Sequence, residues 1–368
     1  MSEITRAGLG PVVRVGVDLA KRVIKVHAVD AAGRVVVARS LPADKFAAWC
    51  VQLPAGCLVV MEACGGAHHW ARKLHGYGLD ARLIAGHFVT PYRMAGKGGK
   101  NDAADAAAIC EAAGRPHMRF VPVKTSAQQA LLAIHRLREG YKEDRTACIN
   151  RIRGLLTEFG IVFAQSPDTL RLGLADVLED ASNELPGIAR LVLQEARLHW
   201  IELECHIASC DERITAHVRA DEQAKAAAQL SGIGPITASA LVATVGDFKQ
   251  FKNGAQFGSW LGLVPRQNSS GGKTVLGRIT KRGDDYLRTL LIQGAKSAVM
   301  TAHKRSDKIS QWLVQLLARV GWQKAVVALA NKNARIVWAL LAKGRQFDPN
   351  YVSIKPGEVP AIPGTAAA

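Results

Sequence analysis

The sequence predicts an α/β domain followed by helical regions, and three observations predict it. Short β-branched runs dominate the first 90 residues, first strand after strand, then alternating with helical stretches. Leucine and isoleucine recur at three- and four-residue spacing through the middle of the chain. The last third is strongly basic and again helical in pattern.

The elements read off in order. Val12 to Asp18 (VVRVGVD) is apolar and β-branched, a first strand. Val23 to Val29 alternates, a second. A turn at Ala31-Ala32-Gly33 leads into Arg34 to Ser40, a third, so the three form an antiparallel meander. Asp44 to Val51 is helical in composition, Leu58 to Glu62 is a buried strand, and Ala67 to Tyr77 has helical periodicity. Ala81 to Ala85 is a fifth strand, and Asp102 to Ala113 is an Ala-rich helix with an Asn-Asp start. The order β-β-β-α-β-α-β-α matches a ribonuclease-H-like sheet with helices against it.

Beyond residue 125 the pattern is helical. Leu131, Ile134, Leu137, Ile149, Ile152, Leu155 and Leu156 fit one apolar seam, and Leu191 to Ile214 repeats it. A coiled coil for spacing or dimer contact and an ordinary helical core fit this pattern equally. The expected division is 10–120 for the α/β domain, 121–224 for the helical region, 225–347 for a mostly α C-terminal domain, and 348–368 for a disordered Pro/Gly/Ala-rich tail.

Charge narrows the function classes. The formal net charge is +17 over 368 residues. Residues 230–345 hold 18 Lys/Arg against 4 Asp/Glu, +14, while residues 121–229 hold 13 against 16, −3. So concentrated an excess points to a polyanion, nucleic acid ahead of a membrane surface. The seven cysteines are odd in number and contain no C-x-x-C pair, which argues against a zinc site or a disulfide framework. They read as buried thiols of a reducing cytoplasm. The first ten residues hold no apolar signal core, and the apolar run Ile336 to Ala342 is too short to span a bilayer.

Two constellations carry chemistry. Asp18 ends the first strand, Glu62 the fourth, and Asp102 and Asp105 share one helix face. Strands one and four are neighbours in the expected sheet, so the four carboxylates can converge and offer oxygen ligands to Mg²⁺ or Mn²⁺ beside a phosphodiester. Singly, each has a plainer role: a turn residue after a strand, a helix N-cap, a dipole partner. Glu62 resists that reading, because a carboxylate closing an apolar strand is costly without a partner. The second constellation begins with LSGIGPITASAL, where the turn at Gly232 and Gly234 between helical segments suggests a helix-hairpin-helix that meets DNA phosphate. It continues in WLGLVPRQNSSGGKTVLGRITKRGDDYLR, where Ser269 and Ser270 sit in a flexible loop among Arg266, Lys273, Arg278, Lys281, Arg282 and Arg288. Such a serine can attack phosphorus with cations steadying the charge. Ser-Ser-Gly-Gly is also ordinary loop chemistry, and a basic loop can simply bind phosphate.

These motifs, GVDLAK, MEACG, KNDAADA, LSGIGPITA and GLVPRQNSSGGK…GRITKRG, resemble the DEDD-type transposases of the bacterial IS110 family, the bridge-RNA-guided recombinases, from Val12 to Phe347. The resemblance implies that Asp18, Glu62, Asp102 and Asp105 form the metal quartet of a RuvC-like domain. It implies that Ser270, with Ser269 as the adjacent candidate, is a nucleophile forming a phosphoserine link. It further implies a homodimer or homotetramer acting on donor and target DNA, with a noncoding bridge RNA supplying sequence choice, in a bacterial cytoplasm at the nucleoid. Two alternatives compete. A RuvC-like junction resolvase needs neither the serine nor the extra basic domain. A non-catalytic nucleic-acid-binding protein has no use for the acidic quartet. A serine hydrolase finds no G-x-S-x-G elbow, and His68-His69 stand as possible substrate contacts on a helix surface.

Overall fold

The computed structural model describes residues 10–93 and 102–349, with backbone alone at Asp102 and Ala103. The expected tail beyond residue 349 lies outside the described residues. The chain divides into two compact units, Met1–Ala130 and Leu131–Ala368.

The first unit is built on a mixed sheet. Its strands are β1 (Arg14–Asp18), β2 (Val23–Val29), β3 (Val35–Pro42), β4 (Leu58–Glu62), β5 (Asp80–Ile84) and β6 (Phe120–Val121), in the order β3-β2-β1-β4-β5-β6. The helices are α1 (Ala43–Cys50), α2 (Ala67–Gly76), the one-turn α3 (Gly86–Val89) and α4 (Asp102–Ala113). The meander is antiparallel, while β4 runs parallel to both β1 and β5. At the β2–β3 turn, Asp30 accepts from the backbone N–H of Ala32 and Arg34, both at 2.9 Å, which adds to the backbone bonds Asp30 N–H to Arg34 O and Gly33 N–H to Asp30 O, both at 3.0 Å. The short β6 escapes sequence reading, since two residues carry no periodicity.

Both faces of the sheet are covered, which is why β4 reads as an unbroken apolar run. Val15, Val17, Val59 and Met61 point to one face and pack with Phe46, Trp49 and the α2 residues Ala67, Ala71 and Leu74. Val60 and Ile84 point to the other and pack with Ala108, Ile109 and Ala112 of α4. Gly16 lies on this second face. A Cβ there would overlap the Ala106 carbonyl and the Cys110 nitrogen, so its absence lets α4 lie directly on β1.

The second unit is mostly helical. Its long helices are α5 (Ser126–Thr157) and α7 (Gly187–Ala220), with α6 (Pro167–Glu179) between them. α8 (Glu222–Ala228), α9 (Pro235–Val245) and α10 (Gly254–Trp260) follow. A hairpin, β7 (Pro265–Ser270) and β8 (Lys273–Ile279), precedes α11 (Asp285–Thr301), α12 (Lys308–Val320) and α13 (Trp322–Lys343). One core joins Ile149, Ile152, Leu156, Leu170, Leu193 and Trp200 across α5, α6 and α7. A larger one is centred on α9, α11 and α13. By length and composition α13 is apolar enough to cross a membrane, but half of its most apolar stretch is buried in this core, the pattern of a central core helix.

The expected seam on α5 is only partly right. Leu131, Ile149, Ile152 and Leu156 are buried, but Leu137 is 56% exposed and the buried positions between them are His135 and Arg138. Arg138 pairs with Asp211 of α7 and with Glu139 at 2.8 Å, so its charge is compensated. The His135 ring lies 3.0 Å from both the Tyr286 hydroxyl and the Ser239 hydroxyl. A neutral ring satisfies both, donating from one nitrogen and accepting at the other. Burial first, then the Arg138 guanidinium, lowers its pKa from 6.5 to about 4; His217 pushes the same way, and Glu139 and Asp211 push back.

The sign follows from that depression. Above pH 6.5 His135 is neutral folded and unfolded, and its contribution is fully present. Stability is lost as pH falls towards 4, because only the unfolded chain takes the proton. Between pH 7 and 5 the loss from this group is about 2 kcal/mol. Urea unfolding of wild type and His135→Gln across that window checks it. The variant should show a shallower fall, and parallel curves would remove His135 from the account.

Candidate active-site residues

In the first unit, the strand alternation that puts Gly16 against α4 also puts Asp18 on that side. The parallel register pairs Gly16 with Val60, so Glu62 stands beside Asp18 at the carboxyl ends of β1 and β4. α4 runs back along β1: Arg14 lies at Gly114, and Gly16 at Cys110 and Ala106. One more step along the strand brings Asp18 level with the first turn of α4, where Asp102 begins the helix. Asp105 is on the sheet-facing side of that helix, 8% exposed. The side chain of Asp102 lies outside the described residues.

A cation already sits in this edge. Arg93, which follows α3 and a 3-10 turn at Thr90–Tyr92, donates from Nη2 to Glu62 Oε2 at 3.2 Å and places Nε 2.7 Å from Asp105 Oδ1. Nothing in the sequence singled out Arg93; it lies between motifs in an irregular stretch. Among the described residues no group of three His, Cys, Asp or Glu side chains is gathered closely enough to hold a metal. The donor chemistry nevertheless suits a hard divalent cation: carboxylate oxygens from separate elements face one place, and two of them already share a positive charge.

The neighbouring residues sort out plainly. His68 Nδ1 accepts from the Lys124 backbone N–H at 3.1 Å. Burial, with Lys124 and Arg72 nearby, lowers its pKa to about 4. His68 is therefore a neutral tie between α2 and the segment after β6, while His69 is exposed. All seven cysteines are free. Burial pushes the Cys50 thiol up to about 12 and Cys57 up to about 11, which keeps them unreactive. Cys64 and Cys205, expected to be buried, are exposed.

In the second unit the serines lie on a hairpin rather than the expected flexible loop. Gly271 and Gly272 have φ of 56° and 78°, so they form the two-residue turn whose twist suits a hairpin. Ser270 faces Lys273 across the turn and Ser269 faces Thr274. Opposed residues share a face and neighbours alternate, so Ser270 lies with Asn268, Lys273 and Val275. Arg266 joins them, since a Cβ on Gly277 opposite would touch its Cβ at 3.8 Å. Ser269 lies on the other face with Gln267, whose Nε2 donates to its hydroxyl at 2.8 Å. Every residue of β7 is exposed, and so is β8 except at its last position.

The hairpin is fixed at its root. Lys281 N–H donates to Gly262 at 3.1 Å, and a side chain on Gly262 or Gly283 would collide with the backbone of Arg282 or Trp260. That explains the glycines flanking the basic motif. Lys273, Arg278, Lys281 and Arg282 are all exposed. Arg288 differs from expectation: it is 7% exposed, donates to the Leu261 carbonyl at 3.2 Å and pairs with Asp285. It braces α11 against the end of α10 and does not belong to the exposed cationic set. Gly232 has φ of 86° in the turn between α8 and α9, with its backbone against Gly294, and Gly234 caps α9. Ser231, Ser297, Thr301 and Arg305 line an open cleft beside this turn.

A mixed sheet with acidic residues at its edge, and a basic helical unit bearing an exposed serine hairpin, are the parts of a DNA-processing enzyme, and the comparisons define that class as DNA transposases. A DEDD transposase model of the IS110 type matches residues 15–161, and a model described as "Transposase IS116/IS110/IS902 family" matches residues 224–311. The chain belongs to the IS110 transposase family. It is 48% identical over 337 residues to a probable family 20 transposase of Pseudomonas aeruginosa, covering 91% of this chain and 98% of that protein. It is 40% identical over 332 residues to the transposase for insertion sequence element IS1111A of Coxiella burnetii, covering 90% of each. A third relative, a putative transposase of Sinorhizobium fredii, is 40% identical over 337 residues, 91% of this chain and 86% of its own.

Proposed function

We propose that this transposase cuts and rejoins DNA through a composite chemistry, with Asp18, Glu62, Asp102 and Asp105 holding Mg²⁺ or Mn²⁺ and Ser270 as nucleophile. The observation that carries this reading is the placement of Asp18, Glu62 and Asp105 on the α4 side of one sheet edge. A bound divalent ion there supplies positive charge to phosphate oxygens.

Ser270 does the covalent work. Its Oγ forms a bond to phosphorus, a phosphorus–oxygen bond of the DNA breaks, and the serine proton ends on the departing sugar oxygen. Lys273 and Arg266 on the same face support charge on the phosphate. Ser269, engaged by Gln267 on the opposite face, is the weaker candidate. Arg278, Lys281 and Arg282 bind backbone phosphate, and the turn at Gly232 and Gly234 offers N–H groups to another, in the manner of a helix-hairpin-helix. Ribonuclease-H-like architecture of the RuvC type in the first domain, a helical linker and oligomerisation region, and a C-terminal serine domain complete the assignment.

The partners are donor and target DNA and a noncoding bridge RNA, at the bacterial nucleoid, with the protein as a homodimer or homotetramer. Leu191, Leu198 and Ile201, 68%, 54% and 45% exposed along α7, support self-association. Recombination between donor and target plasmids, with the element's flanking noncoding RNA supplied or withheld, tests the reading. Junctions that form only with the RNA are expected. Equal yields without it would leave a transposase that selects DNA by itself.

A further inference from the structure

We propose that Arg93 gates the metal site: in the metal-free protein its guanidinium bridges Glu62 and Asp105 in the place of a divalent cation, and metal binding displaces it. The inference rests on the acidic-site reading above.

Four observations support it. First, the two carboxylates come from separate elements, β4 and α4, and Arg93 lies between them, 3.2 Å from Glu62 Oε2 and 2.7 Å from Asp105 Oδ1. Second, Asp105 has little room to turn away, and Glu62 rests against backbone. Asp105 is 8% exposed, and the Gly86 backbone lies so close to Glu62 Oε1 that a Cβ there would collide with it. Two carboxylates side by side, one nearly buried and the other with its side chain 34% exposed, favour a positive charge between them. Third, the contact to Asp105 is one of charge: the buried Nε makes no hydrogen bond of acceptable geometry despite its short approach. A charge contact without a directed hydrogen bond is easily exchanged for another cation. Fourth, the Arg93 side chain is 37% exposed, against 10% for the structural Arg138, so it has a route outwards.

The chemistry makes the two cations exclusive. A divalent ion needs the oxygens that the guanidinium now occupies, and the two positive charges repel at that distance. Once released, the planar guanidinium can pair with a phosphate in two parallel hydrogen bonds. Metal loading would then deliver a DNA-binding cation to the edge where cleavage occurs. Arg93 is thus a positioning residue for the metal and the phosphate in turn.

The test uses the full chain without DNA, titrated with Mn²⁺ and followed by the electron paramagnetic resonance of free ion, with thermal unfolding in parallel. Wild type, Arg93→Gln, Arg93→Lys and Asp105→Asn are compared. Arg93→Gln should bind Mn²⁺ about tenfold more tightly than wild type. Its unfolding temperature should be lower without metal and rise more on adding Mg²⁺. Arg93→Lys, which keeps the charge, should stay near wild type, and Asp105→Asn should lose binding. A merely structural arginine predicts the lower unfolding temperature with no gain in metal response. Equal Mn²⁺ affinity in wild type and Arg93→Gln, weaker binding in Arg93→Gln, or tight binding in Arg93→Lys overturns the gate while leaving the metal site standing. No binding in any of the four proteins overturns the metal site itself, and the gate with it.

Discussion

Replacing Asp18 or Glu62 by alanine is expected to reduce recombination about a thousandfold while leaving the fold intact. Both residues end strands whose preceding residues are buried: Val15 and Val17 before Asp18, Val59, Val60 and Met61 before Glu62. The sheet is therefore held by the apolar positions, so removing either carboxylate should leave it standing. Glu62→Ala carries a second expectation, because it also leaves Arg93 with Asp105 alone. Junction formation between plasmids gives the activity, and thermal unfolding separates a dead site from a damaged fold. Asp18→Ala protein that still recombines at the wild-type rate would return the acidic edge to the role of turn and cap residues. The chemistry would then rest on the serine hairpin alone.

The second large effect concerns the hairpin. Ser270→Ala should abolish recombination and any covalent protein–DNA product, and Ser269→Ala should retain most of both. The two serines are adjacent in sequence but on opposite faces, so their surroundings differ more than their spacing suggests. Both sit on an exposed two-stranded ribbon, where neither side chain supports a core. Loss of function in Ser270→Ala is therefore a statement about chemistry and not about folding. Denaturing gels of protein incubated with labelled DNA read the covalent product directly. Were Ser269→Ala the inactive variant instead, the nucleophile would lie on the Gln267 face, with its hydroxyl already hydrogen-bonded. Activity in both variants would assign the whole reaction to the acidic edge.

The strands were legible because their chemistry is local. Leu58–Glu62 and Val23–Val29 have the bounds that their β-branched runs announce, and Asp102–Ala113 starts and stops where its composition says. The hairpin was misread as a loop. Its strands are polar and exposed, so burial imposes no alternation on them; the Ser-Ser-Gly-Gly turn was the available signal, and two glycines between residues able to pair mark a hairpin as readily as a loop. On α5 the apolar count drew attention to Ile134 and Leu137, while the buried polar residues His135 and Arg138 occupied the inner face. A polar side chain can be buried once Ser239, Tyr286 and Asp211 arrive from distant parts of the chain, and single-helix periodicity holds no information about them.

By itself the sequence determined the succession of the first five strands along the chain, the acidic residues ending the first and fourth of them, and the concentration of positive charge in the last third, while its motifs resembled a transposase family. The strands, the acidic residues and the charge depend on residue type and short-range spacing, which physics reads without knowing the fold; the family came from the resemblance of the motifs. Only the tertiary structure decided which cations are available and which are spent. Arg288 looks like its neighbours in the basic run, yet it is buried against Leu261 and Asp285. Arg93 belongs to no motif, yet it stands between Glu62 and Asp105. The role of a long charged side chain is set by whichever carboxylate or carbonyl the folded chain brings within about 3 Å, and that partner is chosen by packing across elements far apart in sequence.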